Sequence, residues 1–373
     1  MNNQPRVASS SGNSNRFAAA IRVLEEAIAA RAFPGCAFGV LAGSEVVLGG
    51  ALGRFTYEEH APQVTAETVF DVASLTKVVA TTAAVMLLVQ RGLLQLDMHV
   101  DALLPEFVSH RAAGDPAHTV TLRNLLAHNS GLPGYVEFFR TASTSEELLC
   151  ACFQLPLKAA PGTRAEYSDP GFILLGKALE VVTGEDLAPW TKREIFAPLG
   201  MNATGFCPTS AARPAIPPTE EDVAFRRRRI QGEVQDENAW ILNGIAGHAG
   251  LFSNVPDLLR FSAEILRSAK SPGLNTMPSL FDAAILQQFA QRQPPEGSSR
   301  ALGWDTPSAP SSSGEYFSQH SIGHLGYSGC SLWIDLDAAV AIVLLTNRTW
   351  PDRRSQLIKQ VRPAFHNSIR KCI

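Results

Sequence analysis

The stretch DVASLTKVVATTAAVMLLVQRG, residues 71–92, decides how the centre of this chain folds. Good helix formers and apolar residues run from Ser74 to Leu94 without a proline, and Gly92 stands near the end, which predicts a helix. Positions i and i+3 share one helix face, so the amine of Lys77 can reach back to the hydroxyl of Ser74. A cation is disfavoured at a helix N-terminus because the macrodipole is positive there. The placement therefore predicts that Lys77 is held as the neutral amine.

A neutral lysine beside a serine is a base that can take the serine proton, and the helix N-terminus favours the anion that forms in acyl transfer. The Ser-x-x-Lys pattern is short, however, and it recurs at Ser368 and Lys371 near the C-terminus. The pair alone is therefore weak support for a nucleophilic serine, and its meaning depends on further motifs.

Composition bounds the function class. The chain has 373 residues and 45% hydrophobic content, enough for one large domain or a domain with a substantial insertion. A net charge of −3 gives no electrostatic reason to expect nucleic acid, and the four arginines at 226–229 are interpreted as a solvated loop or a rim contact to an anionic substrate. The six cysteines form no CxxC pair and no His/Cys cluster, which predicts reduced thiols and neither a metal site nor a disulfide framework.

The first fifteen residues are polar and lack the apolar region of a signal peptide, so we expect 1–15 to be a disordered tail. No later stretch has the roughly 20 uninterrupted apolar residues that a membrane span needs. These features predict a cytoplasmic protein without a membrane span.

Two apolar hairpins lie far apart in the chain. One is predicted within residues 36–53, around an Ala-Gly-Ser turn, and the other at residues 331–347. An amphipathic helix is predicted from Arg16 to about Ala32, and another from Asp352 to Ile369, where Pro363 should kink the helix or end it early.

The predicted fold is α/β of the α+β type, with one antiparallel sheet built from both chain ends and flanked by helices. We expect a single domain over residues 16–373. Its sheet region comprises 16–65 and 300–373, and the inserted part at 66–299 is mainly helical.

A serine and a lysine still need a second acid/base group and an oxyanion hole. Tyr167 precedes a Ser-Asp-Pro-Gly turn that opens an apolar helix from Phe172, and its phenol is a candidate proton shuttle, although packing is the commoner role. His324-Leu325-Gly326 leads into an apolar strand. Gly326 lets a ligand approach the backbone, so that the N–H of Tyr327 can face a substrate carbonyl, whereas a lone His on a strand is more often structural.

Taken in order, three motifs resemble those of one family. Ser74-Leu75-Thr76-Lys77, Tyr167-Ser168-Asp169 and His324-Leu325-Gly326 are similar to the Ser-x-x-Lys, Tyr-x-Asn and Lys-Thr-Gly motifs of the class C β-lactamase and penicillin-recognising serine hydrolase family, which includes penicillin-binding proteins and family VIII esterases. Flanking segments at 122–133 and 247–261 also resemble that family. The resemblance extends from about residue 20 to 370 and implies a β-lactamase/transpeptidase-like fold.

The resemblance implies a serine hydrolase that works through an acyl-enzyme without metal or cofactor. Ser74 would be the nucleophile, Lys77 its neighbouring base, and Tyr167 the shuttle that takes the serine proton and later activates the deacylating water. The backbone N–H groups of Ser74 and Tyr327 would form the oxyanion hole. The partners implied are small esters or amides, with β-lactams as a further class, and the chain is expected to be a monomer or homodimer.

Two departures from the family pattern bear on the substrate. Asp169 stands where these β-lactamases have Asn, so an amide donor is lost and the carboxylate would pair with Lys77 or keep it protonated. His324 replaces a permanently charged lysine. Hydrolysis of an uncharged ester or amide is therefore expected over that of a β-lactam. Lower pH, through protonation of His324, or Asp169→Asn with His324→Lys should shift the preference back.

The branch within the family is indicated by residues 232–254, which resemble cytosolic members that cut the amide of N-acetylmuramyl-peptides. Asn238 and His248 are candidate substrate contacts beside Asp169, His324 and Gly326, and bracing of a loop is an equally good role for both. The predicted function is esterase, or amidase or peptidase on muramyl-peptide or D-amino-acid substrates. A class C-like β-lactamase, a D-Ala-D-Ala carboxypeptidase and a non-catalytic penicillin-recognising protein stay open as alternatives.

Overall fold

A six-stranded sheet drawn from both ends of the chain organises the fold in the computed structural model, which describes residues 6–7, 16–270 and 279–373. The sheet order is β1-β3-β2-β11-β10-β9. Within the described residues the strands are β1 (Arg6–Val7), β2 (Gly35–Ala42), β3 (Glu45–Gly53), β4 (Phe70–Asp71), β5 (Gly205–Phe206), β6 (Pro218–Asp222), β7 (Arg228–Gln231), β8 (Leu251–Ser253), β9 (Ser321–Leu325), β10 (Ser331–Asp335) and β11 (Val340–Thr346).

Both predicted hairpins are present, β2 with β3 and β10 with β11, and β11 pairs antiparallel with β2 to join the two chain ends. The prediction of an antiparallel sheet built from both ends is confirmed. One edge of the sheet differs from this prediction. There Arg6–Val7, which was expected to lie in a disordered tail, pairs in parallel with β3. The rest of that predicted tail, residues 1–5 and 8–15, lies outside the described residues.

Strand β11 shows why the sheet needs helices on both faces. Its side chains alternate, so Ile342 and Leu344 enter one hydrophobic cluster while Val343 and Leu345 enter another. All seven residues of the strand are buried. A strand buried on both faces reads as a continuous apolar run, as this one does.

The helices cover both sides of this sheet and fill the inserted region. Among the described residues the α-helices are α1 (Ala18–Ala29), α2 (Ala83–Gln90), α3 (Leu122–Leu126), α4 (Ser145–Phe153), α5 (Asp169–Thr183), α6 (Leu187–Thr191), α7 (Glu237–Ile241), α8 (Val255–Ser268), α9 (Ala283–Ala290) and α10 (Ile358–Arg370). Helices α1 and α10 pack together over one face of the sheet, and α8 packs on the other against β2 and β11.

The helix predicted from Ser74 is continuous but irregular. It starts as a 3₁₀ turn at Ala73–Leu75, widens into a π-helix at Lys77–Thr82 and becomes α2. It ends at Gln90 rather than at Leu94, and Gly92 follows in the left-handed region (φ 70°). The span Ala73–Gln90 is long and apolar enough to cross a membrane by composition, but 83% of it is buried inside the fold, as in a core helix.

Two other predicted helices have different bounds. Helix α5 begins at Asp169 instead of Phe172, because Ser168 caps it by accepting the N–H of Gly171 (3.1 Å) and Pro170 fits the first turn. Helix α10 begins at Ile358 rather than Asp352, and Pro363 lies inside it without ending it.

Candidate active site

The turn that carries Ser74 is held from behind by a buried carboxylate. Ala73 has φ of +47°, a left-handed conformation that is strained for a residue with a Cβ. Asp71 accepts the N–H of Ala73 at 2.8 Å and that of Gln235 at 2.7 Å. Burial raises the pKa of Asp71 to about 6, against the opposing effect of these two N–H groups. Strand β4 therefore ends in an anchored turn that presents Ser74 at the N-terminus of the helix.

Lys77 is fully buried and makes three short hydrogen bonds. Its Nζ lies 3.1 Å from Ser74 Oγ, 2.7 Å from Asp169 Oδ1 and 3.0 Å from the carbonyl oxygen of His248. Burial alone would lower the pKa of Lys77, but the Asp169 carboxylate and then Tyr167 outweigh it and raise that pKa. Three acceptors around one nitrogen fit an ammonium group, which has three N–H donors. The prediction of a neutral amine is wrong, because the opposing charge lies 92 residues away on another helix.

Tyr167 lies beside both the serine and the lysine, on the loop before α5. Its side chain interacts with those of Ser74 and Lys77, and Lys77 Nζ lies 4.9 Å from the ring centroid. Burial raises the pKa of Tyr167, and the Lys77 charge opposes that rise without cancelling it. The resting phenol is therefore neutral, and the structure brings Ser74, Lys77 and Tyr167 together as the sequence predicts.

Asp169 is placed by the start of α5. Its backbone N–H donates to the carbonyl of Gly134 (2.9 Å), and its side chain, 14% exposed, faces Lys77. The structure thus shows the ion pair with Lys77 that the Asn-to-Asp departure suggested.

The loop after β9 is bonded to the segment that precedes the serine. Ser328 Oγ donates to the carbonyl of Asp71 at 2.8 Å. A Cβ on Gly326 would lie 2.5 Å from the Val72 carbonyl oxygen, so glycine is required here by the approach of protein backbone. The N–H of Tyr327 has no hydrogen-bond partner among the described residues. This loop therefore holds a free amide donor beside the turn of Ser74.

His324 is buried on β9 and is not the pH-responsive contact that the sequence suggested. Its Nδ1 donates to the carbonyl of Leu325 (2.8 Å), since a carbonyl can only accept, and its Nε2 is buried without a partner in the described residues. Burial lowers the pKa of His324 well below its usual range, and the charges of Lys77 and Arg300 lower it further. His324 stays neutral near pH 6, so the predicted effect of mild acid through this residue is wrong.

Residues 232–254 act mainly as a brace. Asn238 donates to the carbonyl of Val136 (2.8 Å) and accepts from the N–H of Phe139 (3.1 Å), so its amide is used within the fold. His248 contributes its carbonyl to Lys77, while its Nε2 lies 2.9 Å from Asp236 Oδ1. For both residues the bracing alternative fits the geometry better than a direct substrate contact.

The arginines at 226–229 are not a solvated loop throughout. The Arg226 side chain is buried and bonds Asp222 at 3.0 Å, together with the carbonyls of Val234 and Gln235. Arg228 and Arg229 pair with glutamates. Most of this positive charge is therefore neutralised within the protein.

Two residues at the site were missed by sequence reasoning. Arg300 Cζ lies 5.2 Å from the ring centroid of Tyr167, and its one ion pair among the described residues, to Asp305, is long at 3.8 Å. The His128 ring packs against the Tyr167 ring, with the two centroids 4.7 Å apart. His128 lies in the 122–133 segment that marked the resemblance, so a signal for it was present, whereas nothing in the sequence near Arg300 places it at the site.

Comparison with known proteins decides the family. The family model described as Beta-lactamase matches residues 20–363. The chain belongs to the β-lactamase family. It is a serine hydrolase of this family, and no group of three or more metal-binding side chains occurs in the described ranges.

Individual relatives agree with this assignment. An N-acetylmuramyl-L-alanine amidase of Bacillus subtilis is 31% identical over 359 residues, covering 88% of this chain and 80% of the relative. The solved structure of EstCE1, a hydrolase with promiscuous acyltransferase activity, matches with a TM-score of 0.74 at 23% identity, covering 95% of this chain and all of that one. A penicillin-binding protein homologue of Caulobacter crescentus gives 0.75 at 18% identity, covering 96% and 98%. The two structures support the β-lactamase-like fold.

Proposed function

We propose that Ser74 is the nucleophile of an acyl-enzyme hydrolase that cuts an amide of a cell-wall-derived muramyl-peptide. The observation that carries the nucleophile is the 3.1 Å contact between Lys77 Nζ and Ser74 Oγ, with Tyr167 against both side chains. A nucleophile, a proton acceptor and a third group that orients the acceptor are the parts that serine catalysis needs.

Proton transfer begins from an ammonium. The proton of Lys77 moves along the 2.7 Å bond to Asp169, and rotation of the resulting amine about its Cε–Nζ bond turns the lone pair towards Ser74 Oγ. That amine takes the serine proton as Oγ bonds the substrate carbonyl carbon. Tyr167 then gives its phenolic proton to the leaving nitrogen and is reprotonated from Lys77, so the serine proton in effect leaves with the amine. Deacylation runs the same path with water in place of serine.

The oxyanion that forms on the carbonyl would accept from the backbone N–H groups of Ser74 and Tyr327. The Tyr327 amide is free in the described structure, and the Ser328-to-Asp71 bond holds it beside the nucleophile turn. Loss of one such donor typically costs about 10²–10³-fold in rate.

The substrate class is supported by the amidase relative and by the groups at the site. Arg300 supplies a permanent cation with unused donors, which suits the free carboxylate of a peptide. Tyr135, which follows the Gly134 whose carbonyl holds Asp169, and Tyr327 are about half exposed. Their side chains offer aromatic surface that a sugar ring can cover, because such rings have apolar faces. Arg300 also alters the earlier expectation of an uncharged substrate, since the site keeps a cation although it lacks the family lysine.

The test measures the release of L-alanine from N-acetylmuramyl-L-alanine, detected with a primary-amine reagent. Turnover of a short-chain p-nitrophenyl ester is measured in parallel. We expect the wild type to cut both and Ser74→Ala to cut neither, with Lys77→Ala and Tyr167→Phe each losing most activity while remaining folded. Ester turnover without amine release would overturn the muramyl-peptide assignment alone. Full activity of Ser74→Ala would overturn the nucleophile.

A D-Ala-D-Ala carboxypeptidase is the second candidate, because the C-terminal carboxylate of such a peptide suits Arg300 equally well. Release of D-alanine from a D-Ala-D-Ala peptide at a higher kcat/KM than release of L-alanine from the muramyl substrate would favour it.

We also propose a cytoplasmic location and a monomeric or homodimeric state. All six cysteines are free thiols, which suits a reducing compartment. Cell fractionation and size-exclusion chromatography with light scattering test these two proposals.

A further inference from the structure

His128 accepts hydrogen bonds from the backbone on both sides of Tyr167. Its carbonyl oxygen accepts the N–H of Glu166 at 2.8 Å, and its ring Nδ1 accepts the N–H of Ser168 at 3.0 Å. The residues immediately before and after Tyr167 are thus bonded to one residue from a distant loop. Two such bonds fix the direction in which the Tyr167 side chain leaves the backbone.

The His128 ring also fixes the plane of the phenol. Its centroid lies 4.7 Å from that of Tyr167 at an interplanar angle of 41°, and 5.0 Å from that of Phe172. The ring is therefore packed between Tyr167 and the first turn of α5, and His128 is 2% exposed. Contact at this range limits the rotation of the phenol about its Cα–Cβ bond.

The identity of the residue has a cost that packing does not explain. His128 has φ of +54°, a left-handed conformation that histidine adopts more often than most residues with a side chain. Because Nδ1 accepts a hydrogen bond, the proton of the neutral ring is on Nε2, which is buried without a partner in the described residues. A phenylalanine ring would pack in the same place without burying an N–H. What histidine adds is the Nδ1 acceptor for Ser168.

We propose that His128 is a positioning residue that holds the Tyr167 hydroxyl in line with Ser74 and Lys77. It acts through Tyr167 and touches no reacting atom. The inference rests on the role proposed for Tyr167, and it adds a determinant of rate that lies in the 122–133 segment, outside the three catalytic motifs.

The test combines two substitutions at His128 with Tyr167→Phe. His128→Ala removes both the acceptor and the ring, and a displacement of the phenol by about 1 Å should lower kcat about 100-fold with KM nearly unchanged. His128→Asn restores an acceptor near the Nδ1 position and tolerates positive φ, so we expect it to recover at least about tenfold of that loss. In the Tyr167→Phe background, His128→Ala should lower kcat by less than about threefold, since the group that it positions is already absent.

His366 provides a matched control, because it is a fully buried histidine with both ring nitrogens bonded, to Ser331 Oγ and to the Ser312 carbonyl. His366→Ala should lower the Tm and leave kcat within about twofold when assayed below that Tm. Equal kcat losses in His366→Ala and His128→Ala would overturn the inference. An undiminished kcat loss from His128→Ala in the Tyr167→Phe background would also overturn it. So would a kcat loss in His128→Asn as large as that in His128→Ala. Full activity of Tyr167→Phe alone would instead overturn the role of Tyr167 itself.

Discussion

The sheet and the active site use buried space in opposite ways. The sheet buries apolar side chains on both faces, as β11 shows, and its strands follow the alternation that local sequence dictates. The site buries the Lys77 ammonium and surrounds it with strained or unpaired groups. Ala73 and His128 have positive φ, and ring nitrogens of His128, His248 and His324 are buried without partners in the described residues. The comparison indicates that stability resides in the sheet, while the site tolerates strain and desolvation in exchange for reactivity.

The largest stability effect is expected from breaking the buried ion pair. Lys77→Met leaves the Asp169 carboxylate mostly buried and unpaired, so the free energy of unfolding at pH 7 should fall by about 3–5 kcal/mol. Adding Asp169→Leu removes that charge and should return stability to within about 1 kcal/mol of wild type or above it, without activity. Urea unfolding of the three proteins measures this. A double variant no more stable than Lys77→Met would show that the pair is not costly to bury.

A cavity in the sheet should have a smaller effect and one of a different kind. Leu344 is fully buried and packs between the sheet and the covering helices. Leu344→Ala should therefore lower the free energy of unfolding by about 2–5 kcal/mol. The kcat should stay within about twofold of wild type below the lowered Tm, because Leu344 belongs to the cluster under α1 and α10, whereas Val72 and Leu75 beside Ser74 belong to the other cluster. A kcat that falls in parallel with stability would break the distinction between the two regions.

The smallest effect concerns acid stability at the brace. His248 beside Asp236 offsets the burial of that carboxylate and lowers the pKa of Asp236 to about 2. A carboxylate whose pKa is lower in the folded than in the unfolded protein stabilises the fold at pH values above its unfolded-state pKa. That stabilisation is lost as the pH falls to the folded-state pKa. Between about pH 4 and pH 2 the wild type should therefore lose about 2 kcal/mol that Asp236→Asn does not lose. Unfolding free energies of both proteins across this range provide the test, and parallel curves would contradict it.

Local patterns predicted the sheet because register and alternation are short-range properties, and both hairpins lie where the apolar runs place them. The meeting of Ser74, Lys77 and Tyr167 followed from ordered motifs. The charge of Lys77 was suggested by Asp169, although the helix-terminus argument alone pointed to a neutral amine. The burial of His324 could not be predicted, because it depends on the packing of β9 against elements that are distant in the sequence. The start of α5 was misplaced although a signal existed, since a serine before Asp-Pro is a standard helix cap.

The same contrast shows where substitutions from the family pattern should fail. His324→Lys was expected to restore a carboxylate contact, yet residue 324 is buried near both Lys77 and Arg300. A third cation there would be repelled and desolvated, so the substitution should destabilise the protein rather than improve its reaction with penicillins.

The central claim is that Ser74 is the nucleophile, and it is tested most directly by intact-protein mass spectrometry after incubation with a fluorophosphonate, followed by peptide mapping. The account predicts one adduct per chain, on Ser74, absent from Ser74→Ala and formed more slowly by Lys77→Ala. An adduct on another residue, or one that persists in Ser74→Ala, would contradict it.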